Sequence, residues 1–170
     1  MIFLGLGSNL PSKYGDRFTN INLAISFLEG YGIKVIKKSS FYETPSYPNK
    51  ENPKFINAVI LVETILPPTD LMSVLIFVEE KLERKRGKKN DPRTCDIDII
   101  DYNSQILNLR YNNLDLIVPH KDLTSRNFML FPLQEISPSW RHPKTKEIIS
   151  VLLQKLSEED KNSILKIDEN

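Results

Sequence analysis

The chain holds one cysteine, Cys95, one tryptophan and two histidines among 170 residues. A single thiol excludes an internal disulfide and gives secretion no positive support. Nowhere does it carry the roughly 20 continuous apolar residues that a membrane span needs. The opening Met1-Ile2-Phe3-Leu4-Gly5 has no basic stretch ahead of its apolar run, so no signal peptide is expected. A large surplus of either sign of charge is also missing. Lys and Arg number 23 against 22 Asp and Glu, a net charge of +1, which argues against bulk attraction to nucleic acid or to an anionic membrane. Hydrophobic residues are 40% and charged residues 26%, the balance of a globular chain rather than a disordered one. One domain spanning residues 1–170, in the cytoplasm, is the expectation.

Ile2 to Ser8 reads as a buried strand running into the turn-prone Gly5-Leu6-Gly7-Ser8-Asn9. Asp16 to Glu29 reads as a helix, with Ile21, Ala24, Ile25 and Leu28 on one face and Gly30 and Gly32 as stop signals. Ile33 to Tyr42 and Phe55 to Glu63 are rich in β-branched and aromatic residues and predict strands. The segment 44–53 between them carries three prolines, which keep it out of a sheet ladder. Pro67-Pro68 opens a second helix whose core stripe is Leu71, Leu75, Val78 and Leu82. A basic loop follows, then a strand from Thr94 to Tyr102. The order β-α-β-β-α-β predicts an α+β, ferredoxin-like core with both helices on one face of an antiparallel sheet. Leu114 to Val118 adds a short strand, and short helices and turns follow from Asp122. From Val151 a terminal helix is expected, with 156–170 as a frayed tail.

The chemistry is densest in Pro92-Arg93-Thr94-Cys95-Asp96-Ile97-Asp98-Ile99-Ile100. Residues two apart in a strand point the same way. Cys95, Ile97 and Ile99 are therefore expected in the core, and Asp96 and Asp98 together on the opposite face. Two carboxylates side by side raise one another's pKa unless a cation joins them. Hard oxygen donors of this kind suit Mg²⁺, which uses one or two carboxylates and completes its shell with water and substrate phosphates. An Asp-x-Asp alone is more often the solvated face of an edge strand. Here six of the ten residues from Arg84 to Arg93 are basic, and Arg84, Arg86 and Arg93 are fork-shaped donors suited to polyphosphate. That combination favours a metal–phosphate site. Other routes are closed. Leu10 stands where a dinucleotide fingerprint needs its third Gly, and there is no Walker sequence. His120 and His142 lie too far apart for a zinc pair, and no nucleophile elbow is present.

Six motifs stand in register: Gly5-Leu6-Gly7-Ser8-Asn9-Leu10, Ser40-Phe41-Tyr42-Glu43-Thr44-Pro45, Phe55-Ile56-Asn57-Ala58, Pro92 to Ile99, Val118-Pro119-His120 and Arg126 to Leu133. Together, from Leu4 to about Trp140, they resemble the 6-hydroxymethyl-7,8-dihydropterin pyrophosphokinases of folate biosynthesis. The resemblance implies transfer of the ATP β,γ-pyrophosphoryl group to the pterin hydroxymethyl, leaving AMP. It implies that Asp96 and Asp98 hold two Mg²⁺ ions and that Arg84 and Arg93 are mobile-loop arginines acting in catalysis. Glu79, Arg86, Arg93, Ile99, His120 and Arg126 match nucleotide-binding positions. For the pterin, Phe55 and Phe128 would sandwich the ring, Asn57 would meet its edge, and Thr44, Pro45 and Tyr47 would complete the site. Loops 44–53 and 84–94 are expected as lids. Asn90-Asp91, Glu83, Ile76, Asp115 and Lys121 depart from the family pattern. The expected partners are ATP and the pterin, with no nucleic acid, no membrane and a monomeric chain. A metal-dependent phosphohydrolase and an RNA-binding ferredoxin-like module are the alternatives.

Overall fold

The computed structural model describes residues 1–168. β1 (Ile2–Ser8), α1 (Arg17–Gly30), β2 (Lys34–Lys38), β3 (Phe41–Thr44), β4 (Phe55–Glu63), α2 (Pro68–Lys81) and β5 (Asp96–Tyr102) follow in the expected order. A hairpin of β6 (Leu107–Tyr111) and β7 (Leu114–Val118) comes next, then a 3-10 turn at Leu123–Ser125. α3 (Asn127–Ile136), α4 (Ile149–Gln154), α5 (Glu158–Asn162) and β8 (Leu165–Ile167) complete the chain. The main sheet is antiparallel throughout, ordered β5-β1-β4-β3-β8, with β2 also paired to β4. That is the ferredoxin-like arrangement, with β8 added at one edge.

α1 starts where Asp16 caps it by accepting from Thr19 N, and α2 starts at Pro68, whose missing N–H is no loss in a first turn. Both helices lie on one face of the sheet. Ile21, Ala24 and Leu28 of α1 and Leu71, Leu75 and Val78 of α2 join Leu4, Leu6, Ile97 and Ile99 in one buried cluster. The short helices expected after Asp122 find their place on the other face. α3 and α4 cover much of it, and Phe3, Val59 and Ile100 pack there against Leu130, Leu133, Trp140 and Leu152. Alternation from Asp96 and Asp98 turns Ile100 into this second core, and a bulge in β5, where Leu4 pairs with Ile99 but Phe3 with Asp101, turns Asp101 to the same face, where its Oδ2 accepts from Trp140 Nε1.

Three further differences are local. The strand expected over 33–42 divides into β2 and β3, because Ser39 N bonds Val59 O while Ser39 Oγ accepts from Val59 N. β6 was not expected. The tail is not frayed over 158–167, which form α5 and a strand paired to β3; residues 169–170 of that tail lie outside the described ones. Among the described residues no helix is long and apolar enough to cross a membrane.

Candidate active site

The site lies on the second face of the sheet, where the layer of α3 and α4 stops short. Gly5 and Gly7 of β1, Asn57 of β4, and Asp96 and Asp98 of β5 form a stretch of sheet that Phe128, at the start of α3, only partly roofs. The glycines keep that floor low. A Cβ on Gly7 would stand 3.3 Å from Asn57 Oδ1 and 3.5 Å from the Phe55 ring. The resulting cavity, open to solvent, spans about 590 Å³ and is walled by Phe55, Phe128, Thr44, Pro45 and Tyr47. All six residues expected to bind the pterin are therefore in one place. Asn57 Nδ2 is already spent on Thr44 Oγ1 at 2.9 Å and Tyr42 O at 3.2 Å, which leaves Oδ1 as the free acceptor.

A second, polar cleft of about 870 Å³ runs along the outer edge of β5, between α2 and the β6–β7 hairpin. Glu79, Arg86, Ile99 and His120, four of the six residues matched to nucleotide positions, line it together with Arg84. Ile76, Asp115 and Lys121 line it too, so three of the departures from the family pattern cluster at this cleft. Arg93 instead lines the apolar cavity and the basic loop's own groove. Arg126, also expected on the nucleotide side, faces the apolar cavity, with its guanidinium 5.6 Å from the Phe128 ring centre. Asp96 and Asp98 line both the apolar cavity and the polar cleft.

The two carboxylates differ in company. Asp96 Oδ1 accepts from Arg84 Nη1 at 2.7 Å, and Oδ2 accepts from Arg93 Nη2 at 2.7 Å and Nε at 3.0 Å. Burial works against its charge, but Arg93 and Arg84 hold the carboxyl below its ordinary range. Among the described residues Asp98 accepts no hydrogen bond from either arginine and meets His120 instead, with Nε2 3.8 Å away. Burial, then the charges of Asp96 and Glu79, push its pKa up to about 8. Burial also lowers the pKa of His120, whose Nδ1 accepts from Asp122 N. Nε2 therefore carries the proton of the neutral ring.

Glu79 is neither a solvated helix residue nor a free ligand. It is 3% exposed and accepts from Arg84 Nη1 at 2.7 Å, Arg86 Nη2 at 2.8 Å and Ile97 N at 2.8 Å. Burial, opposed by Arg84, moves its pKa up to about 7. In this structure it holds two arginines and the edge strand in place.

Two residues escaped the sequence reading. Asn9 ties the loops together: its Oδ1 accepts from Arg93 N at 2.7 Å, and its Nδ2 donates to Pro53 O at 3.0 Å. The Gly-Ser-Asn turn signalled a special backbone there, but not a link between two distant loops. Asn90 lines the apolar cavity, at the end where Arg93 and the aspartates stand.

Comparison with known proteins fits this geometry. Residues 3–138 match the family model of 7,8-dihydro-6-hydroxymethylpterin-pyrophosphokinase (HPPK). The chain is 36% identical over 142 residues to a 2-amino-4-hydroxy-6-hydroxymethyldihydropteridine pyrophosphokinase of Aquifex aeolicus, covering 84% of this chain and 83% of that one. It is also 36% identical over 164 residues to the folic acid synthesis protein fol1 of Pneumocystis carinii, covering 96% of this chain but only 21% of fol1. Against fol1 of Schizosaccharomyces pombe it again spans about a fifth of the relative's length, 20%. Among solved structures, a triple mutant of Plasmodium falciparum HPPK-DHPS superposes with a TM-score of 0.76 at 17% identity, over 98% of this chain and 45% of that one. That likeness concerns the fold. With the family model spanning most of its length and the Aquifex relative matched over 83% of its own, the chain belongs to the 7,8-dihydro-6-hydroxymethylpterin-pyrophosphokinase family.

Proposed function

We propose that the protein transfers the β,γ-pyrophosphoryl group of ATP to the hydroxymethyl group of 6-hydroxymethyl-7,8-dihydropterin, releasing AMP, in folate synthesis. The observation that carries this reading is the shared wall. Asp96 and Asp98 belong at once to a flat apolar cavity and to a polar arginine-lined cleft. A group moving from one occupant to the other would pass over them.

The pterin fits the apolar cavity by its chemistry. Phe55 and Phe128 offer aromatic faces, and Asn57 Oδ1 accepts from a ring or amino N–H. ATP fits the cleft. Ile97 N points out of the sheet to Glu79, and strand alternation turns the Ile99 N–H and C=O outward as well. One donor and one acceptor there suit the edge of adenine. His120 Nε2–H and Arg86 then face the phosphates.

The donor set suits Mg²⁺. Asp96 and Asp98 are hard oxygen ligands, and among the described residues no group of three or more His, Cys, Asp or Glu forms a complete protein cage. An ion that takes two carboxylates and fills its shell from water and phosphate matches that set. When bound, it supplies charge neutralisation and orients the reacting oxygens. The arginines do the rest. Arg84 and Arg93 now pair with Asp96, and a triphosphate offers them a denser anion. Their transfer to phosphate would free Asp96 and place two fixed charges on the moving group, which is most of what phosphoryl-type transfer needs.

The test is product analysis with ATP, Mg²⁺ and 6-hydroxymethyl-7,8-dihydropterin. Pterin-dependent AMP is expected, with turnover reduced about a hundredfold or more in Asp96→Ala and Asp98→Ala. Release of ADP or phosphate without pterin would overturn the reading in favour of a phosphohydrolase.

A further inference from the structure

The C-terminal segment reaches two walls of the apolar cavity, the 44–47 side and the Phe128 side. β8 pairs with β3, from Phe41↔Ile167 to Glu43↔Leu165, just before Thr44 and Pro45. Lys50, on the loop that carries Pro45 and Tyr47, bonds Glu159 at 2.6 Å. Asn127 is 8% exposed and donates from Nδ2 to Asp160 O at 2.7 Å and to Ser163 Oγ at 3.2 Å. It stands between Arg126 and Phe128, which both line the cavity.

These contacts cross an open groove rather than a packed interface. The groove, of about 1180 Å³, is walled on one side by Tyr47, Lys50 and Phe128 and on the other by Ser157 and Glu159. β8 anchors the far end of the segment by its pairing with β3 and by Ile167 against the first core, and across the groove a few polar contacts carry the restraint. They are unequal. Lys50 and Glu159 are 68% and 71% exposed, and such a pair is screened by water. Asn127 is buried, and a buried donor that loses its acceptors is expensive. It also sits at the first residue of α3, where helices fray unless held.

We propose that Asn127 is a positioning residue, and that residues 157–167 form a brace which acts through it to set the place of Phe128 and so the affinity for the flat acceptor. The role rests on the reading of that cavity as the pterin site. It requires that the brace act on one substrate only, since none of these contacts touches the polar cleft.

Asn127→Ala, in the full chain, is compared with the unaltered protein in three measurements. These are binding of 6-hydroxymethyl-7,8-dihydropterin, binding of a non-hydrolysable ATP analogue with Mg²⁺, and hydrogen exchange at residues 126–130. Pterin binding should weaken about tenfold, with exchange at 126–130 faster and the nucleotide affinity unchanged. Ser163→Ala removes one acceptor and keeps the buried amide. It should show the same pattern at about twofold to threefold, and it stands in if Asn127→Ala does not fold. Unchanged pterin binding, or equal losses for both ligands, would overturn the proposal. If the unaltered protein binds no pterin, the acceptor reading fails by itself. Hydrogen exchange then decides the brace alone: faster exchange in the variant supports it, and equal exchange overturns it.

Discussion

Asp96 and Asp98 are the same residue type two positions apart on one strand face, yet their surroundings push their pKa values in opposite directions. The difference comes from neighbours that lie far away in sequence. Glu79 on α2 fixes Arg84, the basic loop brings in Arg93, and both arginines close on Asp96. Asp98 is left facing neutral His120, with its pKa pushed up to about 8 by burial and then by Asp96 and Glu79. Strand periodicity made the pair legible. It did not reveal which carboxyl keeps its proton, because that depends on where the loop arginines settle. Nor did it reveal Glu79, since a buried acid on a helix looks like any solvated one until its partners are known. A consequence follows for binding. Below pH of about 8 Asp98 carries a proton that a cation must displace. Binding of Mg²⁺-nucleotide should therefore release protons and tighten as pH rises, by at most about tenfold per unit, levelling off above about 8. Calorimetry in two buffers of different ionisation enthalpy counts the protons, and Asp98→Asn should release fewer. An affinity flat across neutral pH would contradict this account.

At the scale of elements, strands and helices with strong periodicity were readable, and junctions were not. β1 and β4 have the bounds expected, and α1 and α2 differ from the expected ones by a residue or so. β6 was missed although Leu107, Leu109 and Tyr111 alternate with Asn108 and Arg110. Its turn is Asn112-Asn113, with both residues at positive φ, rather than the stronger Asn-Gly signal. The end of α2 shows what such a junction does. Glu83 N bonds Glu80 O and Arg84 N bonds Glu79 O, a Schellman ending that turns Arg84 back beside Glu79 and Asp96. The ending needs a left-handed residue, and Glu83 sits there at φ 66° where glycine is free of Cβ strain. Its carboxylate accepts from Lys13 N at 2.8 Å, an exposed bond that water replaces at small loss. Relief of strain should win. Glu83→Gly is expected to raise the unfolding free energy by about 0.5–1 kcal/mol in urea titration. A loss of stability would show that the tie to Lys13 outweighs the backbone.

For the molecule as a whole, the helical layer on the second face of the sheet bears on stability and on the candidate site alike, because its edge bounds the apolar cavity. A hint of it lay in the sequence. Ile2, Phe3 and Leu4 are consecutive apolar residues, as are Val59 to Val62, and a strand apolar on both sides is covered on both sides. Short helices were expected after Asp122 and a terminal one from Val151, but not their bounds or the face they cover, because α3 contains Pro132 and α4 has only six residues, too short for a periodic signal. The two cores share the strands between them and are separated by nothing else. Phe3 belongs to the second core, Leu71 to the first, and both are fully buried. Phe3→Ala should cost about 3–5 kcal/mol and Leu71→Ala about 2–5 kcal/mol. Because the sheet is common to both layers, either loss should destabilise the whole chain rather than one half. Trp140, the only tryptophan, is buried in the second core and reports on that layer by fluorescence, while far-UV circular dichroism reports on all the helices. Urea transitions followed by the two signals should coincide in the unaltered protein and shift together in each variant. A tryptophan transition that moved alone in Phe3→Ala would mean that the second layer melts off a standing sheet, taking the Phe128 wall of the cavity with it.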